Sequence, residues 1–505
     1  MNGGALEFTL DGRTVSVSGV GSLLDALREE LGVTSAKDGC SPQGQCGCCT
    51  VWVDGAPRVA CVTPVTRVRG RSVTTIDGLP SAAGWARSFA AHGASQCGFC
   101  TPGIIMRVAA LPEEKRRSPD AVKQSLLAHL CRCTGWQTIV EAVLDGPSDA
   151  SIDAAAAAER ATIEGGVPQR VGSEIALGAG GFADDTAPGD AIVALRSGPD
   201  EWVTGASLAE ARVKVGKVQG RRTTAPVRHP IELPPGDWDR VLRTTWVEPA
   251  YLEPDSSWCE PGAQWASSLA NGGAFGGKAT TEVGTMARHL ADVHGRAVRV
   301  LATREDVVRN GPKRPPIAAG IRADGTGAIR VVRTPGIVDA IRSVAPELSV
   351  EEVDVPGPPT STGLRAAGWA EAVILLSSLR DHDEVVAPNG AVARARIDDA
   401  GDVHVSVRCG RPLDRTALRS YCIGAAHMAL GWVRSEGIAV DDNGAPLDLT
   451  IRSFGILRAV DMPSVHVEID DDEGEPINGS DAVFAAVAAA AWRHAGFPPA
   501  WPVGR

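Results

Sequence analysis

Eight cysteines between residues 40 and 133 fall into two sets of four, and their spacing decides what chemistry the chain can carry. Cys40, Cys46, Cys49 and Cys61 lie in the segment GCSPQGQCGCCTVWVDGAPRVAC. A [2Fe–2S] cluster needs four thiolates converging on two irons. Cys40, Cys46 and Cys49 supply three from one loop, and Cys61 follows further along. The pattern is close to plant-type ferredoxin spacing, with one extra residue in the first gap. Gly44 and Gly47 let backbone N–H groups turn toward the sulfurs, because glycine tolerates the backbone angles such a wrap needs. Cys48 breaks the spacing and reads as a spare thiol. A four-cysteine zinc site and disulfides are the competing readings.

The second set is Cys97 and Cys100 in QCGFCTPG, with Cys131 and Cys133 in CRCTGW. Two cysteines one residue apart cannot share a face of a regular helix. They suit a helix end, with Thr134-Gly135 as its C-terminal stop. By itself this set is open between iron–sulfur and zinc. Its place after a ferredoxin-like loop favours a second [2Fe–2S] cluster.

The elements that must position these thiols are legible in part. Residues 5–10 and 14–19 alternate around Asp11-Gly12, a hairpin signal. Leu23, Leu24, Leu27 and Leu31 make one stripe, as in an amphipathic helix. A second hairpin is expected around Asp54-Gly55, over 50–54 and 58–63, and a last strand over 72–76. Helices are expected over 81–91, 102–110, 118–130 and 137–144. Pro102 suits a first turn, and Ser118-Pro119-Asp120 is a helix start. Residues 148–169, with the alanine tract AAAAAER, read as a tether. Beyond them the texture is α+β, with helices expected over 281–294, 416–434 and 480–494, the last capped by Ser480.

The fold class is therefore α+β. It comprises a β-grasp ferredoxin domain (1–79), a helical four-helix bundle carrying the second cluster (80–147), a linker (148–169) and an α+β domain (170–505). A chain of 505 residues has room for two to four domains. A hydrophobic content of 44% and a charged content of 22% are those of a globular protein. A net charge of −11 argues against a nucleic-acid partner. There is no signal-peptide pattern and no apolar run long enough to span a membrane. Twelve cysteines without an export signal point to metal ligation in a reducing cytoplasm.

QCGFCTPG and CRCTGW, downstream of a plant-type loop, closely resemble the iron–sulfur part of the molybdenum hydroxylases. That family includes xanthine dehydrogenase, aldehyde oxidoreductase and aerobic carbon-monoxide dehydrogenase, and the resemblance runs over residues 5–145. It implies two [2Fe–2S] clusters and a molybdopterin cofactor. Gln96 and the Cys133 region would approach the pterin, and the 97/100/131/133 cluster would be the one nearer molybdenum.

Later segments resemble the family's catalytic domain. Gly272 to Lys278, GGAFGGK, is similar to its GGxFGGK loop beside the metal, which implies cofactor-binding roles for Gly273, Phe275, Gly276 and Gly277. LRAAGWAEA is similar to the R-x-x-G-x-x-E-A segment and implies that Arg365 lines the pocket. Gly474-Glu475-Pro476 is similar to the GEP segment and implies that Glu475 is the catalytic base, taking a proton from a metal-bound hydroxide. FADD at 182–185, YLEPD at 251–255 and SYCIGAAHMALGW also have family counterparts. The C-terminal domain is nonetheless shortened. No GQG-x-x-T segment is present, a central region is absent between about Ala372 and Ala387, and Ala279 stands where the family has a glutamate.

Two functions follow from the resemblance. One is an enzyme that hydroxylates a small aldehyde or N-heterocycle with water and passes electrons through both clusters. The other is an electron-transfer or structural subunit that needs a further molybdopterin-binding chain. No flavin region is recognisable, so either version implies an FAD-binding or other electron-acceptor subunit and an oligomeric assembly.

Overall fold

Asp11 and Gly12 both take left-handed backbone angles, φ 48° and 82°, and close a two-residue hairpin in which Leu10 faces Arg13. Strand Leu6–Leu10 alternates buried Leu6, Phe8 and Leu10 with more exposed Glu7 and Thr9. That alternation fixes which face meets the core. In the computed structural model of the chain, residues 5–199, 201–216, 220, 222–380 and 384–504 are described. The extreme N-terminus, and part of the stretch 372–387 where a central region is expected to be absent, lie outside them.

The first sheet has five strands in the order Arg13–Val17, Leu6–Leu10, Ser72–Thr74, Thr50–Val53, Ala56–Val59. The Asp54-Gly55 hairpin is present, with Val53 facing Ala56. The leucine stripe forms one turn of α-helix, Leu23–Asp25, capped by Ser22, and continues as a π-helical turn over Ala26–Glu30. Leu23, Leu24 and Leu27 are buried beneath the sheet.

Four helices follow, at Ala82–Ala91, Thr101–Ala109, Pro119–Ser125 and Gln137–Asp145, with a short additional turn at Glu113–Arg116. Trp85, Phe89, Ile104, Ile105, Val122 and Ile139 are buried in their core. The helix expected to run to 130 stops at Ser125. The chain leaves it because the Leu130 N–H bonds to the Cys46 carbonyl of the preceding module at 3.0 Å. Cys131 and Cys133 therefore sit in a loop and not at a helix end. Thr134-Gly135 leads into the next helix, with Gly135 and Trp136 at positive φ.

Residues 148–169 are not a tether. Ala154–Gly165 is a helix, capped by Asp153, that buries Arg160 and Glu164 completely. These two pair with each other. Arg160 donates to the Ile477 carbonyl, and the Glu164 carboxylate accepts the N–H groups of Gly479 and Ser480 at 3.1 and 2.8 Å. A carboxylate at that point satisfies the free amides of the helix Ser480–His494. Ser480 is thus the first helical residue and not the cap. The Asn478 side chain accepts from the Asp481 N–H at 3.0 Å.

The remainder holds three four-stranded sheets and two long buried helices, Arg415–Arg434 and Ser480–His494, which pack on each other. No described helix is long and apolar enough to cross a membrane.

The two halves are locked together by charge. Arg28 reaches Asp184 at 2.7 Å and Asp185 at 2.9 Å, and Arg299 reaches Asp184 at 2.7 Å and Glu29 at 2.8 Å. The buried Lys37 also pairs with Asp185. The FADD segment is therefore an inter-module clasp. Burial would raise the Asp184 carboxyl, but Arg299 and Arg28 outweigh it and hold it well below the usual carboxylate range.

Candidate functional site

The loop after Gly39 folds back on itself, with Ser41, Gly44 and Gly47 at φ 61°, 72° and 75°. This brings Cys40, Cys46, Cys49 and Cys61 together, each of them buried. The Gln43 N–H donates to Cys40 Sγ at 3.0 Å, and the Cys61 N–H to Cys49 Sγ at 3.4 Å. Cys40 is held well below the ordinary thiol range, chiefly by the Cys46 and Cys61 thiols that donate to it. Those two thiols are pushed up in turn. Cys48 is fully buried against Cys46, outside the 40/61/49 arrangement.

The second set forms two touching pairs. Cys97 and Cys133 have Sγ atoms 3.7 Å apart. Cys131 lies against Cys100 and is lowered to about 6, chiefly by that thiol, with Thr134 Oγ1 at 3.2 Å. All twelve cysteines stand as free thiols in the structure. Among the described residues no group of three or more His, Cys, Asp or Glu side chains is set for a single metal ion. What stands in the structure is paired thiols, four to a nest. Such donors release their protons when metal takes the charge. The donor set fits [2Fe–2S].

The second half closes around the second nest. Gln96 Nε2 donates to the Cys133 carbonyl at 3.1 Å and to Ser420 Oγ at 2.9 Å. Gly424, in the helix Arg415–Arg434, lies so close that an added Cβ would sit 1.8 Å from the Cys133 carbonyl. Gly273, at φ +83°, is backed directly on Cys97, where a Cβ would meet its Cβ at 2.9 Å and its Sγ at 3.1 Å. Asn271 Nδ2 donates to the Cys97 carbonyl at 3.2 Å. The glycine-rich loop thus abuts the second nest.

Gly276 packs on Gly363, which leads to Arg365. The Arg365 guanidinium stacks over Phe275 at 4.5 Å from the ring centroid and donates to Asp481 at 2.9 Å and Ser480 at 2.8 Å. Gly277 packs on Tyr251. Lys278 is buried on Glu253 of YLEPD at 2.7 Å. Burial pushes Glu253 up to about 7 against the pull of Lys278. Glu475, in contrast, is exposed on a loop whose backbone covers Gly410.

Sequence reasoning missed Arg132, Asn271, Ser420 and Gly424. For Arg132 a signal existed: a lone arginine between two cysteines of the second set must go somewhere. It forms a two-pronged pair with Glu436 at 2.5 and 2.7 Å and donates to the Pro249 carbonyl at 3.0 Å.

Residues 75–144 match the model of a [2Fe-2S] binding domain. The chain is 43% identical over 138 residues to the small subunit of nicotine 6-hydroxylase from Paenarthrobacter nicotinovorans, covering 27% of this chain and 83% of that one. It is 38% identical over 147 residues to the iron-sulfur-binding subunit of xanthine dehydrogenase from Escherichia coli O157:H7, covering 28% and 92%. With matches of this extent, the chain belongs to the molybdenum hydroxylase family of xanthine dehydrogenase and aldehyde oxidoreductase, and it is an oxidoreductase with [2Fe–2S] clusters as cofactors. Its whole fold is that of aldehyde oxidoreductase from Desulfovibrio gigas, with a TM-score of 0.69 at 14% identity over 96% of this chain and 97% of that one.

The place where the glycine-rich loop, Arg365 and the Cys133 region converge does not fit a pterin. Its cavity of about 30 Å³ is lined by Arg132, Phe275, Arg314, Arg365, Trp432 and Phe484. That is room for a water molecule or so. Arg314 pairs with Glu371 at 2.8 and 2.9 Å and stacks 4.0 Å from the Trp432 centroid. The three arginines of the cavity wall are each already paired with a carboxylate. Gln169 Nε2, buried against Gly272, and Trp432 Nε1 in the cavity wall lack hydrogen-bond partners. Two spare donors in so small a space do not make a cradle.

Proposed function

We propose that this chain is the electron-transfer subunit of a molybdenum hydroxylase. Cys40, Cys46, Cys49 and Cys61 hold one [2Fe–2S] cluster, and Cys97, Cys100, Cys131 and Cys133 hold the other. A partner chain carries molybdopterin and hydroxylates a small aldehyde or N-heterocycle. A flavin or other electron acceptor is a further partner.

The observation that carries this reading is the filled chamber. A buried pterin needs its polar atoms paired, at about 1–3 kcal/mol for each one left unmet. Here Arg132, Arg314 and Arg365 spend their donors on Glu436, Glu371 and Asp481. The catalytic reading needs Glu475 in an enclosed site as base, and Glu475 is solvent-facing.

In this function the chain's own residues do three things. The cysteines hold the irons. Backbone N–H groups such as that of Gln43 donate to the sulfurs and so steady negative charge on them. The second half seals the Cys133 side from water through Gly424 and Gln96.

Metal and pterin analysis of the chain, purified anaerobically from iron-replete cells, tests the proposal. The expected result is about four irons per chain, two for each cluster, with no molybdenum or pterin. Stoichiometric molybdenum would refute it in favour of the complete enzyme.

A further inference from the structure

Among the described residues the buried arginines are Arg132, Arg160, Arg304, Arg314 and Arg365. Four of them meet a carboxylate: Arg132 on Glu436, Arg160 on Glu164, Arg314 on Glu371 and Arg365 on Asp481. Arg304 is the exception. It is fully enclosed, and its Nη2 donates to the carbonyls of Gly39 and Leu252, each at 2.8 Å. Its Nε and Nη1 have no hydrogen-bond partner. A guanidinium keeps its proton in a protein, so Arg304 stands there as a full charge. A buried charge with no counter-ion is costly.

Gly39 shows where that charge points. It directly precedes Cys40, and a Cβ on it would stand 3.2 Å from Cys46 Sγ and 3.0 Å from the Leu252 carbonyl. Arg452 does the same from another side. Its Nε donates to the carbonyl of Gln45, the residue before Cys46, at 2.8 Å, and its Nη2 to the Leu127 carbonyl at 2.9 Å. Burial pushes the Arg452 guanidinium down, and negative charge on Cys46 and Cys40 pulls it back. Both arginines belong to the second half, and each holds the residue just before a cysteine of the first nest.

We infer that Arg304 and Arg452 are positioning residues that raise the reduction potential of the first cluster, each setting a guanidinium charge against its loop with carbonyls and no carboxylate as partners. The inference rests on the reading that this nest holds a [2Fe–2S] cluster. A cluster ligated by four thiolates is an anion, and its net charge and hydrogen bonds set its potential. Reduction adds one electron, from a one-electron chemical reductant, and leaves the bonds in place. The added negative charge is what nearby cations favour. Two carboxylates also touch the loop. Asp38 accepts the Ser41 N–H at 2.9 Å and is offset by Arg212 at 3.4 Å. Glu305 accepts from Gln43 Nε2 at 3.1 Å and from the Gly220 N–H at 2.6 Å. That sets one carboxylate against two guanidinium groups.

The test is a mediated reductive titration of the full chain with both clusters loaded, following the paramagnetic signal of each cluster against potential. In Arg304→Met the first cluster should be harder to reduce. At the potential that half-reduces it in the parent chain, its ratio of reduced to oxidised form should fall about tenfold, which is about 59 mV for one electron. The second cluster should keep its midpoint, and Arg304→Lys, which retains a cation, should recover part of the shift. An unchanged first midpoint would overturn the inference. So would equal shifts of both clusters, or Arg304→Lys matching Arg304→Met, since either marks a structural role. If Arg304→Met leaves the first nest without iron, Arg452→Met decides, because its side chain is only half-buried. A fall of about threefold or more in the same ratio then supports the inference, and an unchanged midpoint overturns it. A parent chain that loads no iron would instead sink the cluster reading itself.

Discussion

Arg132 and Glu436 offer the sharpest test of how the second half supports the clusters. Both side chains are almost fully buried, at 3% and 2% exposure, and the guanidinium meets both carboxylate oxygens. Arg132 stands between Cys131 and Cys133 of the second nest, while Glu436 lies just beyond the helix Arg415–Arg434. Removing one partner of a buried pair leaves a charge with no counter-ion and costs about 3–5 kcal/mol. Arg132→Met belongs at the upper end, because the Pro249 carbonyl also loses its donor at about 1 kcal/mol. Glu436→Met strands the Arg132 charge in turn and should lose about 3–5 kcal/mol as well. In Arg132→Met/Glu436→Met no charge is stranded, and apolar replacements of buried pairs are often neutral. The double variant should therefore recover at least about 2 kcal/mol relative to the sum of the single losses. The assay is anaerobic guanidinium unfolding of all four proteins, followed by far-ultraviolet circular dichroism and by loss of visible cluster absorption. Strict additivity, or single losses below about 1 kcal/mol as for surface pairs, would refute the claim that this pair is desolvated and coupled.

Other outcomes follow from the same geometry. Cys100→Ser should remove one of two distinguishable paramagnetic cluster signals and leave the other; survival of both would mean the ligand set is misassigned. Gly424→Ala places a Cβ 1.8 Å from the Cys133 carbonyl and should cut bound iron to about half, with the first cluster's signal intact. His427 is fully buried with Nε2 on the Leu457 carbonyl at 3.0 Å, and burial lowers it from 6.5 to about 4. Its neutral form is the folded one. Its contribution is fully present above pH 6.5 and is lost as pH falls through 4, amounting to about 3 kcal/mol. His427→Gln should flatten stability against pH in that window, and an unchanged slope would show that His427 does not titrate on unfolding.

How much of this was readable beforehand depends on how local each cause is. The Asp11-Gly12 and Asp54-Gly55 turns were legible because two residues set the backbone angles. The cysteine nests were legible because thiol spacing is chemistry written along the chain. The helix at 154–165 was misjudged because Arg160 and Glu164 look solvated in sequence, yet they are buried against Ile477, Gly479 and Ser480. Such charges become core only when a distant segment supplies their partners. The same holds for Arg132 and Glu436, and for the filled chamber. The early end of the helix at Ser125 has the same origin, since a tertiary bond from Leu130 to Cys46 overrode a continuous local propensity. The glycine-rich loop and Arg365 were found from family likeness, and their neighbours emerged only from the fold.

The helix at 154–165 has one more consequence, for stoichiometry. Had the chain stopped near residue 147, its cluster module would meet the rest of the assembly by diffusion, at whatever concentration the cell provides. The covalent connection replaces that encounter with an intramolecular one, for which short links give effective concentrations on the order of millimolar. Because the connecting helix plugs Arg160 and Glu164 into the far half, the link is stiff as well as short. Each scaffold therefore comes with its own pair of clusters, in one fixed posture, and loose copies of the N-terminal module cannot compete for the place.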